Sequence, residues 1–486
     1  MAGDGERQPP HGPRRPHAGA APHGPQALMS ELSTIARHAL TVLAGQLAVM
    51  AFGVTDTIVA GRHSQESLAA LSIGSAVFVS VYVALMGVLQ ALLPIWAEQR
   101  GANAQAGMGA SVRQSLYLWA GAAVLGMAML LSPGPLLQWT EVPPALRGEV
   151  QAYLAILAFG LPPALLFRIY STLNQALGRP QLVTWLQVGS LAVKVPLSVW
   201  FTFGGAGLAP QGAAGCAWAT LAVNYGLMLL GWWMLRRHTM YGPLRLWRPL
   251  ERPDPAQIAR FVRLGLPAGL SILVEVTSFT MMALFIARQG ALASAAHQIA
   301  SNLAAVLYMV PLSLAIAASA RVSFWRGAGN EHQAAAVALK GFWLAALMGC
   351  ALAAILLIAK GTITALYSTS AEVVAMAGAL AVWVAAYHVA DALQTLCIFV
   401  LRSYRITLAP LAVYCVLLWG VGLYGGYVLA YRGLAGWGPM HSPSPFWAAS
   451  AAALGATALI FTALLLGVLR LQIRRAAPPL PQDPHR

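Results

Sequence analysis

The chain has 486 residues, 58% of them hydrophobic and only 9% charged, with a formal net charge of +15. Soluble domains usually carry about 25% charged residues, so this composition excludes a water-soluble fold. A helix needs about 20 mostly apolar residues to cross hydrocarbon ~30 Å thick. Stretches such as FWLAALMGCALAAILLIA, from Phe342 to Ala359, are apolar on every face, unlike the alternating strands of a barrel.

Residues 1-27, rich in Pro, Gly, Arg and His and without the apolar core of a secretory signal, read as a disordered cytoplasmic tail. Apolar runs then predict helices at 34-60, 68-97, 114-137, 150-177, 182-203 and 213-235, within an amino-terminal lobe spanning 28-238. An Arg- and Pro-rich linker covers 239-262. Six further helices, at 264-288, 294-320, 341-366, 376-401, 408-431 and 447-469, fill a carboxy-terminal lobe spanning 263-472, before a cytoplasmic tail at 473-486. The expected fold class is an all-α integral membrane protein of twelve transmembrane helices in two six-helix lobes.

An even number of crossings puts both termini on one side. Basic residues crowd the loops of that side, among them Arg100, Arg113, Arg236, Arg326 and Arg402, whereas the opposite side has Arg62, Arg147, Arg288, Lys360 and Arg432. The positive-inside rule makes the termini cytoplasmic, in the cell's inner (plasma) membrane. The net charge is thereby spent on topology and lipid headgroups, so membrane lipids are expected partners and nucleic acid is not.

A shift of 226 positions places Ala69, Ala70, Ile73, Ser75, Tyr82, Arg100 and Gly101 on Ala295, Ala296, Ile299, Ser301, Tyr308, Arg326 and Gly327. Six helices per half is an even number, so the halves share an orientation and a pseudo-twofold axis along the membrane normal. Repeat-built transporters bind substrate near mid-membrane and rock one half against the other. Cys216, Cys350, Cys397 and Cys415 lie inside apolar runs, with no zinc or redox spacing, so neither a disulfide nor a structural metal is expected.

A charge left in hydrocarbon costs ~2.5 to 3.5 kcal/mol and calls for a reason. Five qualify: Asp56, Arg168, Lys194, Glu275 and Asp391. Tyr387 and His388 precede Asp391 by one helical turn and share its face. Glu275, Asp391 and the Tyr387 hydroxyl form an oxygen-rich set suited to a hard cation such as Na+; where desolvation disfavours charge, such carboxylates take up a proton instead. Lys194 needs a carboxylate, and Asp56 is the expected partner, in a pair that protonation or substrate binding breaks. Arg168 is expected to face an inner vestibule without a firm partner. His388, and His297 in AAHQIASN, read first as packed neutral rings and second as members of a ligand or proton path.

The segments MAFGVTDTIVAGRHSQESLAALSIGSAV, RLGLPAGLSILVEVTSFTMMALFIARQGALASAAHQIASN and YHVADALQTL resemble the multidrug and toxic compound extrusion (MATE) family, NorM-like branch. The resemblance implies two six-helix lobes around a V-shaped cavity and a secondary transporter that exports organic cations against Na+ or H+. It makes Asp56 the functional amino-lobe acid and Glu275, Tyr387 and Asp391 the carboxy-lobe cation group. Where sodium-coupled relatives show LNIPLN, this chain has Val193, Lys194, Val195, Pro196, Leu197 and Ser198. A fixed positive charge there would compete with a cationic drug at Asp56. The alternative reading is a flippase for lipid or lipid-linked oligosaccharide, which would want several basic residues around its cavity. No P-loop, metal-ligand helix or nucleophile elbow is present to suggest an enzyme. No cofactor is expected beyond the coupling ion, and a monomer suffices because two lobes enclose a complete path.

Overall fold

In lipid a long apolar segment satisfies its backbone only by coiling into a helix, and these runs do so throughout. The computed structural model describes residues 25–134, 144–205, 207–433 and 438–476. Most of both expected tails lies outside these residues, and helix already begins at Pro25 and runs as far as Ala476. Twelve described helices are long and apolar enough to cross a membrane. The first six are α1 (Glu31–His63), α2 (Gln65–Gly101), α3 (Gln105–Leu131), α4 (Leu146–Ala176), α5 (Pro180–Phe203) and α6 (Ala213–Arg237). The second six are α7 (Pro255–Ala287), α8 (Ala291–Gly327), α9 (Glu331–Ala365), α10 (Ala371–Ser403), α11 (Leu408–Arg432) and α12 (Ser444–Ala476).

Several helices overrun their expected ends. The third lies at Gln105–Leu131 rather than 114-137, the seventh starts at Pro255 rather than 264, and the eighth continues to Gly327 rather than 320. An apolar run stops at its first charge, but a helix continues for a turn or two where Arg and Lys stems lie along it and the charged head reaches water. Local chemistry sets the true ends. Asp254 caps α7 by accepting from the backbone N–H groups of Ala256 and Gln257, with Pro255 at the first helical position. Asn330 caps α9 by accepting from the N–H of Gln333. One result is a correction: Arg113, expected in a loop, is buried within α3.

Arg113 has a task there. Its Nε donates to Glu251 Oε2 at 3.1 Å and its Nη1 to the Arg245 carbonyl at 2.6 Å. Gln114 donates to the Arg252 carbonyl at 2.9 Å and accepts from the Asp254 N–H at 3.0 Å, while the Tyr117 hydroxyl donates to the Glu251 carbonyl at 2.8 Å. The stretch between the lobes, with its 3-10 turn Thr239–Leu244, is therefore strapped onto α3 of the amino lobe. The Arg113 hydrogen bonds hold the half-exposed Glu251 carboxyl below the usual glutamate range, so the strap is charged at neutral pH.

The repeat becomes three-dimensional where the lobes meet. The main contacts between lobes pair α1 with α8, α2 with α7 and the end of α2 with α8, the arrangement a twofold axis demands. At the end carrying the termini, the two Arg-Gly pairs sit in matching roles. Arg100 donates to the Ala176 carbonyl at the end of α4, and Arg326 to the Ser403 carbonyl at the end of α10. A Cβ on Gly101 would lie 1.9 Å from the Phe324 carbonyl oxygen, and one on Gly327 1.8 Å from that of Glu98. Only glycine lets these backbones approach so closely. Ion pairs of Glu31 with Arg321 and Glu98 with Arg405 bridge the lobes at the same end.

Any side chain at the crossing must force α2 and α8 apart, and overpacking typically costs about 1–3 kcal/mol. Gly101→Ala and Gly327→Ala should each lower the thermal unfolding midpoint of the detergent-purified protein. Gly121→Ala, in α3 with nothing within 4 Å of the added carbon, should not. Equal midpoints for all three would show that the crossing is looser than described.

Candidate functional site

In the amino lobe the embedded Lys194 of α5 and Asp56 of α1 meet, as expected. Lys194 Nζ donates to Asp56 Oδ1 at 2.7 Å and Oδ2 at 3.0 Å, to Thr220 Oγ1 at 2.7 Å and to the Cys216 carbonyl at 3.1 Å. The Ser198 hydroxyl donates to Asp56 Oδ1 at 3.0 Å. Both charged residues are buried, Lys194 completely. Ser198 lies one turn beyond Lys194 on α5 and Thr220 one turn beyond Cys216 on α6, so helical spacing alone brings these groups together. A buried ion pair survives when further hydrogen bonds satisfy both partners, and here they do.

In the carboxy lobe, Glu275 of α7 and Tyr387 of α10 line one small cavity, together with Ser278, Met282, Leu418 and Ser450. The cavity lies among α7, α10, α11 and α12, inside the lobe. In lipid a charge is best sheltered by its own bundle, where neighbouring helices supply partners. Asp391 is buried beside the cavity but does not line it. It accepts from Gln394 Nε2 at 2.8 Å and from Thr395 Oγ1 at 3.3 Å, and Gln394 accepts in turn from the Tyr414 hydroxyl. Glu275 feels the charges of both Asp391 and Arg402. Phe279 and Trp447 pack edge-on against the Tyr387 ring, 5.8 and 6.0 Å away, and fix its direction.

The remaining expected residues divide. His297 accepts from Trp447 Nε1 at 3.2 Å and meets Ser301 Oγ at 3.3 Å, so it braces the aromatic wall behind Tyr387 and does not line the cavity. His388 is buried away from the cavity, with no hydrogen-bond partner for Nε2 among the described residues. Arg168 lines a separate polar cavity with Gln46, Ser171, Gln175, Thr184 and Gln187, enclosed by α1, α4 and α5 rather than opening as a vestibule between lobes. Arg402, expected among the topology-setting arginines, is buried in the last turn of α10, its Nε and Nη1 without hydrogen-bond partners among the described residues. Gln394 and Thr395, one turn from Asp391, were legible from helical spacing, whereas Arg402 at a helix end looks like any headgroup anchor.

Removing one partner of a buried pair strands the other, at a cost of about 3–5 kcal/mol, whereas replacing both with apolar groups is often near neutral. Asp56→Leu and Lys194→Met should each destabilise the protein strongly in thermal unfolding, and the double variant far less. Additive losses would mean that the two side chains do not share one buried pair.

The MatE family profile matches residues 42–200 and 267–428, one segment in each lobe. The chain is 35% identical to "Probable multidrug resistance protein NorM" of Aromatoleum aromaticum, over 92% of this chain and 96% of that one. It is 32% identical to "Multidrug resistance protein PmpM" of Pseudomonas aeruginosa, over 84% and 86%. Its fold is similar to the crystal structure of the eukaryotic MATE transporter AtDTX14, with a TM-score of 0.80 at 19% identity, covering 92% of this chain and 99% of that one. It is likewise similar to the Vibrio cholerae MATE transporter VcmN in the bent form, with a TM-score of 0.77 at 16% identity over 91% and 98%. Two matched halves, the helical fold and the level of identity agree: this chain belongs to the MATE family.

Proposed function

We propose that this protein is a multidrug efflux transporter that exports organic cations in antiport with Na+ or H+ by alternating access. The observation that carries the reading is the carboxy-lobe site. Two carboxyl groups, Glu275 and Asp391, lie within electrostatic reach of each other, and Glu275, but not Asp391, also feels the Arg402 guanidinium. That leaves one negative charge in excess, for a cation or proton from outside the chain to balance. Glu275 and the Tyr387 hydroxyl reach a cavity where such an ion can arrive, and all the donors are oxygens, which suit a hard cation.

Exchange requires that the coupling ion and the drug stabilise different conformations, since a ligand shifts an equilibrium only through differential affinity. Close contact of the lobes at the terminal end, through Gly101, Gly327 and the Glu31–Arg321 pair, defines one such conformation. Its opposite requires that crossing to part while each lobe moves as a unit. The names of the NorM and PmpM relatives support drugs as cargo. The flippase alternative loses ground, because Lys194 is committed to Asp56 and Arg168 faces its own small cavity. The crowd of basic residues at the terminal end supports cytoplasmic termini in the inner membrane.

Proteoliposomes loaded with a cationic fluorescent dye, under a Na+ gradient or a pH gradient imposed separately, test the proposal. Efflux should follow at least one gradient. Glu275→Gln and Asp391→Asn should each slow it at least ~10-fold, about 1.4 kcal/mol in the coupling step, with normal insertion. Undiminished gradient-driven efflux in both variants would defeat the proposal.

A further inference from the structure

Lys194 Nζ is surrounded by oxygens from two helices, both carboxylate oxygens of Asp56 on α1 and the Cys216 carbonyl and Thr220 hydroxyl on α6, while Ser198 on α5 supports the shell through its bond to Asp56. An ammonium has three hydrogens and no acceptor. Four oxygens within 3.1 Å therefore offer more than it needs, and none of the groups facing it is a competing cation. A carboxylate, a backbone carbonyl and a hydroxyl are also what a small hard cation selects. The cage is closed, since Lys194 is fully buried and its partners are buried or nearly so. One negative charge meets one positive charge, so this pair is neutral without any ion from solution.

We infer that the cage around Asp56 is a monovalent-cation site whose permanent occupant is the chain's own Lys194 ammonium. A tethered cation binds as an intramolecular ligand and is not diluted away from its site. The amino lobe of this chain accordingly takes up no exchangeable cation in this conformation, and a drug's positive charge is not drawn to Asp56. Ion exchange is left to the carboxy lobe. Lys194 thus determines how many ions the transporter couples to and in which lobe they bind.

The consequence is that removing the ammonium should open the site to solution. Glu275→Gln with Asp391→Asn first silences the carboxy lobe. On that background, thermal unfolding is followed in LiCl, NaCl or KCl against N-methylglucamine chloride at equal ionic strength. With Lys194 intact, the midpoint should not distinguish the salts. With Lys194→Ala, at least one small cation should raise the midpoint by several degrees, saturably, as a ligand of the folded state does. With Asp56→Asn added to Lys194→Ala, the response should vanish.

A Lys194→Ala protein indifferent to all three cations overturns the inference. So does a saturable response that is already present with Lys194 intact and lost on Asp56→Asn, because the cage would then be open in the natural chain. That second comparison still decides if Lys194→Ala does not accumulate. The readout is binding rather than efflux, so failure here leaves the transport proposal standing, and failure of dye efflux leaves this one standing.

Discussion

Everything in this molecule is constrained by the cost of holding charge in a bundle surrounded by hydrocarbon. A charge survives there only if the chain supplies a partner or if something from outside does. The two lobes descend from one pattern and meet the cost differently. In the amino lobe Asp56 and Lys194 cancel within a shell of oxygens. In the carboxy lobe Arg402 acts on Glu275, while Asp391 is held by the neutral Gln394 and Thr395, so compensation among the described residues is incomplete. The helix pairings across the twofold axis are alike, so this asymmetry lies in the buried charges.

The architecture gives that asymmetry a way to act. At the terminal end the lobes touch through backbone brought together at Gly101 and Gly327, and the neighbouring ion pairs of Glu31 with Arg321 and Glu98 with Arg405 are electrostatic latches over a steric fit. Such a contact is either made or broken, since packed interfaces resist gradual deformation. The strap from Arg245 to Asp254, tied to α3 through Arg113, Gln114 and Tyr117, keeps the covalent joint between the lobes attached to the amino lobe. Rocking would then be absorbed at the start of α7, beyond Asp254.

Much of this was legible in the sequence, for physical reasons that can be named. Twelve apolar runs have no other way to satisfy their backbones, so the helices and their duplication were readable, the Arg-Gly pairs included. The Asp56–Lys194 pair was readable because a buried ammonium must find a carboxylate and few were on offer. Helix ends were not, because composition changes at the edge of the apolar layer while the helix continues, as at Gly327. Arg402 was missed for the same reason: at the end of α10 its burial depends on how α7, α8 and α11 pack around it, which no local pattern records. The enclosure of Glu275 within its own lobe, and of Arg168 in a separate cavity, likewise depends on the packing of several helices at once.

Buried carboxyl groups that exchange charge with solution can be distinguished from those neutralised within the chain by their reaction with dicyclohexylcarbodiimide, an apolar reagent that modifies protonated carboxyls in membranes. Mass-spectrometric mapping of the intact protein in native lipid, with and without added cation, measures this directly. Charge balance divided between the lobes as described predicts label on Glu275 or Asp391, suppressed by cation, and none on Asp56. Label on Asp56 with neither carboxy-lobe residue modified would contradict it.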